Sequence, residues 1–321
     1  MGRLEELEHT SEVVNNVDTQ YLDLLQDILE NGSESPDRTG TGTIKVFGRS
    51  LKFDLSEGYP LLTTKQVWFQ GVKEELLWMT RGERNIRPLV LQGVNIWNEW
   101  PFKKYLEAND LGHIHPQSTP EEWQKRLDDF VERVKEDEGF ALKWGDLGAI
   151  YGYQWRHWKT PDGGEIDQLA GAIDAIRNKP ESRRIIVTAW DPGELGDVAL
   201  PPCHMMYQFQ VDGDKLNCTM YQRSVDTFIG LPFNIASYAL LTEIVAEITD
   251  KQPGELTMFL ADTHLYLNHL EQVKEQLSRE PRPLPTLVLD STIDDIDNIP
   301  PEAISVTGYD PHPAIRAEIS V

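Results

Sequence analysis

Three short segments decide the fold class of this chain: RRIIVTAW (183–190), MMYQFQV (205–211) and KLNCTMYQ (215–222). Each is rich in β-branched and aromatic residues, which is typical of β-strands. The Asp-Gly-Asp turn at 212–214 predicts that the last two strands form a hairpin. FNIASYALLTEIVAEIT (233–249) follows and predicts a long apolar helix. Hairpin-linked strands mixed with long helices predict an α+β fold rather than a regular alternating parallel one.

Further elements are predicted on both sides of this segment. Apolar residues at helical spacing predict four more helices, at about 21–31, 67–79, 166–176 and 264–277. The alternating segment TIKVFGRSLKF (43–53) predicts a hairpin or a bent strand, with Gly48 at its turn or bulge.

Composition divides the chain into an arm, a main domain and an insertion. Residues 1–16 are acidic and predicted to form a solvated N-terminal arm, and 17–321 are predicted to form a single domain. At about 101–144 the sequence is highly charged, which predicts a small helical subdomain inserted on the surface. Its apolar residues at helical spacing are Trp123, Leu127, Phe130 and Val134.

Overall composition excludes several classes of protein. The formal net charge of −23 argues against non-specific nucleic-acid binding, which relies on Lys and Arg to neutralise phosphates. The acidity is equally consistent with a solubility or a high-salt adaptation. The acidic N-terminus lacks a signal peptide's apolar run, and no stretch approaches the ~20 apolar residues of a membrane span. The two cysteines form no spaced metal-binding cluster. We therefore predict a soluble cytoplasmic protein without a metal site.

Cys203 is a candidate nucleophile because it lies where an irregular loop meets a predicted strand. A free cysteine is also often just a small buried hydrophobe. Catalysis would require a nearby cation, since the thiolate is the nucleophile. His204 either supplies that cation or simply caps the strand. Cys218 lies inside a predicted strand, where we expect a packing role.

Other residues suggest an anionic, base-containing ligand. Arg38, the pair Arg183-Arg184 and Arg223 each lie at the end of an element or in a loop, where a guanidinium suits oxyanions as well as surface ion pairs. Burial of an acid in EELLWM (74–79) would raise its pKa and suit it to proton transfer, although the sequence does not choose between Glu74 and Glu75. Asn234 either caps the long helix or reads the edge of a base.

Nine segments, in order from about residue 21 to residue 321, resemble the thymidylate synthase family. They are SPDRTGTGT (35–43), GYPLLTTK (58–65), EELLWM (74–79), LGAIYGYQWRHW (147–158), ESRRIIVTAW (181–190), LPPCH (200–204), YQRSVDTFIGLPFNIASYALL (221–241), DTHLYLNHLEQVKEQLSREPRPLP (262–285) and YDPHPAI (309–315). The resemblance implies reductive methylation of dUMP to dTMP, with 5,10-methylenetetrahydrofolate as donor of carbon and hydride.

The resemblance also implies roles for individual residues. The implied catalytic residues are Cys203, which attacks uracil C6, with Glu75, Tyr151, Arg223, Asp226 and Asn234. The implied dUMP-binding residues are Arg38, Arg183, Arg184, Arg223, Ser224, Asn234, His264 and Tyr266. The implied folate-binding residues are Lys65, Ile96, Trp97, Leu200, Asp226, Phe233 and Val321.

The architecture implied by the resemblance is a large twisted mixed β-sheet covered by helices, with the small inserted subdomain, in a sheet-to-sheet homodimer. Residues 17–321 would form one catalytic domain, and Arg183 and Arg184 would reach the partner's active site. Three residues depart from the usual family pattern: Gln66, Asn98 and Ala149. Gln66 and Asn98 lie near the implied folate side.

Two alternatives stay open at this point. A dUMP 5-hydroxymethylase of the same superfamily shares the cysteine attack, but water ends its reaction instead of hydride. Asn234 favours uracil over cytosine, and the intact Trp97 and C-terminal tail favour methylation. A non-catalytic nucleotide-binding or regulatory homologue is a poorer hypothesis, because the implied catalytic residues are present together.

Overall fold

A computed structural model describes residues 15–37, 40–116 and 118–318 of the chain. Its helices are α1 (Asn16–Asn31), α2 (Phe69–Thr80), α3 (Arg87–Leu91), α4 (Glu99–Ala108), α5 (Pro120–Glu136), α6 (Glu138–Trp144), α7 (Tyr151–Arg156), α8 (Gln168–Asn178), α9 (Gly230–Ile248) and α10 (Leu270–Leu277). Its strands are β1 (Ser33–Ser35), β2 (Thr43–Asp54), β3 (Trp158–Lys159), β4 (Glu165–Ile166), β5 (Ile186–Thr188), β6 (His204–Asp212), β7 (Lys215–Asp226), β8 (Gln252–Tyr266), β9 (Thr286–Leu289) and β10 (Ile304–Thr307).

The main sheet has six strands in the order β1-β2-β8-β7-β6-β5. Its neighbours pair antiparallel except β7 and β8, which are parallel. A parallel pair needs a crossover connection, and α9 supplies it. Helix α9 packs on both of those strands, and α2 packs on α9. The predicted α+β class with a large mixed sheet flanked by helices is confirmed.

Helix α9 is the centre of the core. It is apolar on every side, and most of its residues are buried. Among the described residues it is the one helix long and apolar enough to cross a membrane, but 78% of that stretch is buried inside the protein. Burial on all sides is typical of a central core helix.

Of the two alternatives predicted for 43–53, a hairpin or a bent strand, the hairpin is wrong, because these residues belong to the single strand β2. Gly48 has a φ of 72°, in the left-handed region that favours glycine. The pairing register with β8 is nevertheless the same on both sides of it, with Phe47 opposite Asp262 and Arg49 opposite Leu260. Gly48 therefore neither turns the chain back nor inserts an extra residue into the ladder.

The prediction of a helix over 264–277 is wrong at its beginning, because 264–266 close strand β8 and α10 begins only at Leu270. Leu265, His269 and Val273 are all fully buried and lie four residues apart. That spacing is typical of a helix even though its first member pairs with β2 in the sheet. Strand β8 itself, the longest in the sheet, was not predicted.

The other helices lie close to their predicted positions. In α5 the four predicted stripe residues form the buried face, and Phe102 of α4 packs against Trp123 and Phe130. The predicted solvated arm is wrong at its end, since Asn15 is only 3% exposed and accepts a hydrogen bond from the Asp18 amide at the start of α1. The rest of the predicted arm, 1–14, lies outside the described residues.

Candidate active site

Cys203 lies immediately before strand β6, at a point where the pairing of β6 with β7 is irregular. Its backbone is held on both sides: the amide donates to the Tyr151 hydroxyl at 2.9 Å, and the carbonyl accepts from the Arg223 amide at 2.8 Å. Cys203 as a whole residue is partly exposed, whereas Cys218 in mid-strand is buried, with its pKa raised to about 12 by burial. The expected packing role of Cys218 is confirmed, and the role of Cys203 as a nucleophile stays a prediction.

Arg223 is the cation beside the thiol. Its Nε donates to the Pro202 carbonyl at 2.8 Å and its Nη2 to the Pro201 carbonyl at 2.7 Å, and Nη2 lies 3.9 Å from the Cys203 sulfur. The guanidinium also lies over the Trp190 ring, 5.3 Å from its centroid. Burial raises the pKa of the Cys203 thiol, and the Arg223 charge opposes that rise. Two proline carbonyls and one aromatic ring thus hold the permanently charged guanidinium beside the sulfur.

The hypothesis that His204 supplies this cation is wrong. The side chain is buried, and burial lowers its pKa to about 3, so the imidazole is neutral. Its Nδ1 lies 2.8 Å from the Tyr238 hydroxyl, and its ring lies 4.0 Å from that of Tyr151. A charged imidazole in this apolar setting would lose its hydration without gaining a counter-ion.

Glu75 on α2 is the acid that the sequence left undecided. It is 7% exposed and accepts a hydrogen bond from Trp97 Nε1 at 2.7 Å. Burial raises its pKa to about 7, and the bond from Trp97 opposes that rise. Glu74 is also buried, but it accepts from Gln70 one turn earlier on the helix. Glu75 is therefore the carboxyl group suited to exchanging a proton near neutral pH.

Tyr151 connects the thiol to the acid. Its ring centroid lies 5.7 Å from that of Trp97, the donor to Glu75, and its hydroxyl accepts from the Cys203 amide. Its φ is 39°, an unusual conformation for a residue other than glycine, and such strain concentrates at functional sites. Burial raises the pKa of its hydroxyl well above the usual value, so the phenol stays protonated.

The helix-cap hypothesis for Asn234 is wrong, because α9 already begins at Gly230. Asp226 closes the preceding turn, accepting from the amides of Phe228 at 3.2 Å and Ile229 at 3.1 Å. Asn234 Oδ1 instead accepts from Gln222 Nε2 at 3.1 Å. Sequence reasoning missed Gln222, which is 2% exposed. Its place in the Tyr-Gln-Arg-Ser segment beside Arg223 was the available signal.

The remaining dUMP residues lie on adjacent strands. Ser224 and Asp226 on β7 are paired with Asp262 and His264 on β8. His264 Nδ1 lies 2.9 Å from Asp262, and its ring packs on the edge of Tyr266. Arg38 lies outside the described residues.

Arg183 and Arg184 are both exposed, just before β5. Within the described ranges, no hydrogen bond or ion pair joins either guanidinium group to its own chain. One subunit therefore does not bring this pair to Cys203 through any described contact.

The predicted folate residues that can be described are partly or fully buried. Lys65 donates to the Phe228 carbonyl and lies 3.5 Å from the centroid of that ring, and burial lowers its pKa to about 7. Trp97 is buried, whereas Ile96, Leu200 and Phe233 are partly exposed and pack against the core. Val321 lies outside the described residues.

The three residues that depart from the usual family pattern have different surroundings. Asn98 is 4% exposed, and its Oδ1 has no partner within the described part of the chain. Gln66 is exposed. Ala149 is simply buried.

Across residues 15–37, 40–116 and 118–318 there is no cluster of three or more His, Cys, Asp or Glu that could hold a metal ion.

Comparison with known proteins shows which family this chain belongs to. A family model described as thymidylate synthase matches residues 19–321. The chain belongs to the thymidylate synthase family. Similar curated members include thymidylate synthases of Listeria monocytogenes serotype 4b (strain CLIP80459), L. monocytogenes serotype 4a (strain HCC23) and Listeria innocua serovar 6a. Each is 50% identical over 312 residues, which cover 94% of this chain and 99% of the relative. Membership makes the chain a folate-dependent methyltransferase, with 5,10-methylenetetrahydrofolate as co-substrate.

Proposed function

We propose that this chain methylates dUMP to dTMP through a covalent bond between Cys203 and C6 of the uracil. The observation that carries the proposal is the Arg223 guanidinium, 3.9 Å from the thiol of the partly exposed Cys203 and held there by two backbone carbonyls. Burial raises the thiol pKa, and the opposing charge of Arg223 is the contribution that favours the thiolate.

Covalent attack solves a reactivity problem, because C5 of uracil is a weak carbon nucleophile. As sulfur bonds to C6, the electron pair of the C5–C6 double bond moves toward O4 as an enolate, and C5 becomes nucleophilic. C5 bonds to the one-carbon unit of the folate. Loss of the C5 proton then breaks the bond between that carbon and the folate nitrogen, which keeps the electron pair, and leaves an exocyclic methylene on the base. Hydride adds to this methylene and completes the methyl group. The sulfur–C6 bond then breaks and releases dTMP. The folate supplies the carbon and the hydride and leaves as dihydrofolate.

In this series of reaction steps, Glu75 and Tyr151 carry out the proton transfers. A carboxyl group with a pKa of about 7 exists in both protonation states at neutral pH, so Glu75 can relay a proton to and from O4 through water. Tyr151 Oη, beside the Cys203 backbone, is placed to assist loss of the C5 proton. Trp97 shields the reactive methylene carbon from water and also donates to Glu75.

Residues near the ends of β7 and β8 and at the beginning of α9 would recognise the nucleotide. Asn234 would read N3 and O4 of the base, and Gln222, which donates to Asn234 Oδ1, would hold that amide in one orientation. Arg223, Ser224 and Arg38 would bind the phosphate, and His264 and Tyr266 the deoxyribose hydroxyl. Lys65, Asp226, Phe233 and Val321 would contribute to the folate side.

We also propose that the active unit is a sheet-to-sheet homodimer in the cytoplasm. The exposed large hydrophobic residues include several on the main sheet: Phe47 (76% exposed), Phe259 (47%), Ile186 (41%) and Tyr221 (39%). Tyr221 and Phe259 are register partners, and both line one surface depression with Phe47. An apolar sheet face of this kind favours burial by a second copy. Arg183 and Arg184 would then complete the partner's phosphate site.

Subunit complementation tests the dimer. An Arg184→Ala variant mixed with a Cys203→Ser variant, under conditions that exchange subunits, should regain activity because one hybrid site carries both intact residues. Mixing two preparations of the Cys203→Ser variant is the control. No recovery despite demonstrated exchange would refute shared sites.

Product analysis tests the reaction. With dUMP and methylenetetrahydrofolate, mass spectrometry of the nucleotide should find dTMP, and absorbance should record an equal amount of dihydrofolate. Cys203→Ser should form neither, while the matched Cys218→Ala should retain most of the activity. Predominant 5-hydroxymethyl-dUMP without dihydrofolate would instead identify a hydroxymethylase, and nucleotide binding without any turnover would identify a non-catalytic homologue.

A further inference from the structure

His204 sits between two tyrosines at the centre of the site. Its ring stacks on Tyr151, with centroids 4.0 Å apart and planes at 30°. It meets Tyr238 of helix α9 nearly edge-on, at 5.4 Å and 83°, with 2.8 Å between Nδ1 and the tyrosine oxygen. Both tyrosines and the histidine are buried. The imidazole therefore has little freedom to rotate.

The Tyr238–His204 bond has a definite direction. Burial raises the pKa of Tyr238 well above its usual value, so its oxygen keeps its proton. A buried O–H almost always donates to an acceptor, and within the described residues Nδ1 of His204 is the partner of this hydroxyl. Nδ1 can accept only if it carries no proton. A neutral imidazole has one N–H, so that proton must be on Nε2.

The opposite ring nitrogen, Nε2, is not fully closed off from solvent. Nε2 has no partner within the described ranges, and it is not among their buried unpaired atoms. It is therefore reachable by a ligand or by water. The His204 ring stacks on Tyr151, whose hydroxyl accepts from the Cys203 amide, so the imidazole belongs to the same cluster of side chains as the proposed nucleophile.

We propose that Tyr238 is a positioning residue that donates to Nδ1 of His204 and so fixes the tautomer that presents an Nε2–H donor to the active site. The proposal rests on the proposed function for its consequence. Attack at C6 places negative charge on O4, and a donor oriented in advance stabilises such charge more than one that must reorganise. A neutral imidazole donates without charging this buried site.

Tyr207 offers a matched control. Its ring lies 5.6 Å from that of Tyr238, and it is equally buried. Its hydroxyl has no partner within the described residues. Tyr207→Phe therefore removes the same oxygen from the same aromatic cluster without touching His204.

Nuclear magnetic resonance of the resting enzyme tests the tautomer directly. Protein labelled with ¹⁵N-histidine is compared as wild type, Tyr238→Phe and Tyr207→Phe, with His204→Gln used to assign the His204 signals. We expect the Nε2–H pattern in wild type and Tyr207→Phe, and an Nδ1–H or mixed pattern in Tyr238→Phe. An Nδ1–H pattern in wild type, or an unchanged pattern in Tyr238→Phe, would overturn the proposal. Should Tyr238→Phe not fold, the wild-type spectrum alone decides.

Kinetics then test the consequence. Tyr238→Phe should lower kcat roughly tenfold, the loss of one hydrogen bond, and change the KM for dUMP by less than about twofold. Tyr207→Phe should stay within about twofold of wild type. In a His204→Gln background, Tyr238→Phe should cause no further loss, whereas an undiminished loss there would refute action through His204. Failure of the wild type to make dTMP would refute the proposed function but leave the tautomer result intact.

Discussion

Two buried carboxyl groups, Asp18 and Glu75, show how differently the same chemical group is used in two regions of this protein. Asp18 is fully buried and accepts hydrogen bonds from five donor groups: the amides and hydroxyls of Thr63 and Thr64, and the side-chain amide of Asn15. Glu75 is 7% exposed and has Trp97 as its donor. Burial dominates at Glu75 and raises its pKa to about 7.

The two carboxyl groups have different roles: Asp18 stabilises the fold, whereas Glu75 takes part in the proposed reaction. The Asp18 bonds tie helix α1 to the segment at 63–64, and Gln276 of α10 donates to the Thr64 hydroxyl as well. The Asp18 carboxylate therefore serves to join these segments. Glu75, with few donors in an apolar site, exchanges its proton readily near neutral pH.

The largest expected effect is on turnover through Glu75. Glu75→Gln should lower kcat about a thousandfold, within the range of about 10² to 10⁴ typical of general acid–base groups. Glu74→Gln is the matched control, since that neighbour is equally buried but accepts from Gln70, and it should retain activity within about threefold. Steady-state kinetics of dTMP formation measure both. Equal losses of kcat in the two variants would show that Glu75 has no special role compared with Glu74.

Asp18→Asn should affect stability instead of chemistry. Asparagine presents an NH₂ group toward amide and hydroxyl donors, so at least one buried bond is lost and one clash of donors is created. We expect a loss of about 3 kcal/mol in the free energy of unfolding, measured by urea denaturation, with kcat per folded molecule unchanged within about twofold. Wild-type stability with impaired kcat would place Asp18 in the chemistry.

Stability should also depend on pH through Glu75. Its pKa rises from 4.5 to about 7 on folding, so between these pH values the unfolded state has released a proton that the folded state still holds. Stability from this residue therefore falls as pH rises through that window, by up to about 3 kcal/mol. The difference in unfolding free energy between wild type and Glu75→Gln should change across this window and be flat outside it. A constant difference would contradict the raised pKa.

The smallest expected effect comes from Trp97→Phe, which removes the described donor to Glu75 and keeps an aromatic ring. The hydrogen bond opposes the rise in the Glu75 pKa, so its loss should move that pKa further upward. The limb of the pH–rate profile that reports Glu75 should shift to higher pH by about half a unit. A shift to lower pH would mean that the indole is not a donor to this carboxyl group.

Sequence reasoning singled out Cys203, Arg223 and the pair Glu74-Glu75 because the chemistry of each residue type and its position relative to predicted elements were informative. Only the family resemblance chose Glu75 from that pair. It failed where a contact with a distant segment decides the outcome. His204 follows Cys203, yet its charge is set by burial against Tyr238 and Tyr151.

The same limit explains the errors in secondary structure. The end of β8 has helix-like spacing but is held by its neighbours in the sheet, and the choice between Glu74 and Glu75 depends on which one meets Trp97. Asn234 precedes the apolar run and so resembled a helix cap, but the turn closed by Asp226 lets the helix begin four residues earlier, at Gly230. Periodicity reports local preference and not the partners that override it.

The central claim is that one specific sulfur bonds to the base. 5-Fluoro-dUMP tests it, because fluorine replaces the C5 hydrogen that the reaction must remove, so the covalent complex with folate accumulates. Peptide mapping by mass spectrometry should locate the adduct on Cys203 in wild type and in Cys218→Ala, and find no adduct in Cys203→Ser. An adduct on Cys218, or none on Cys203 although both ligands bind, would contradict this account.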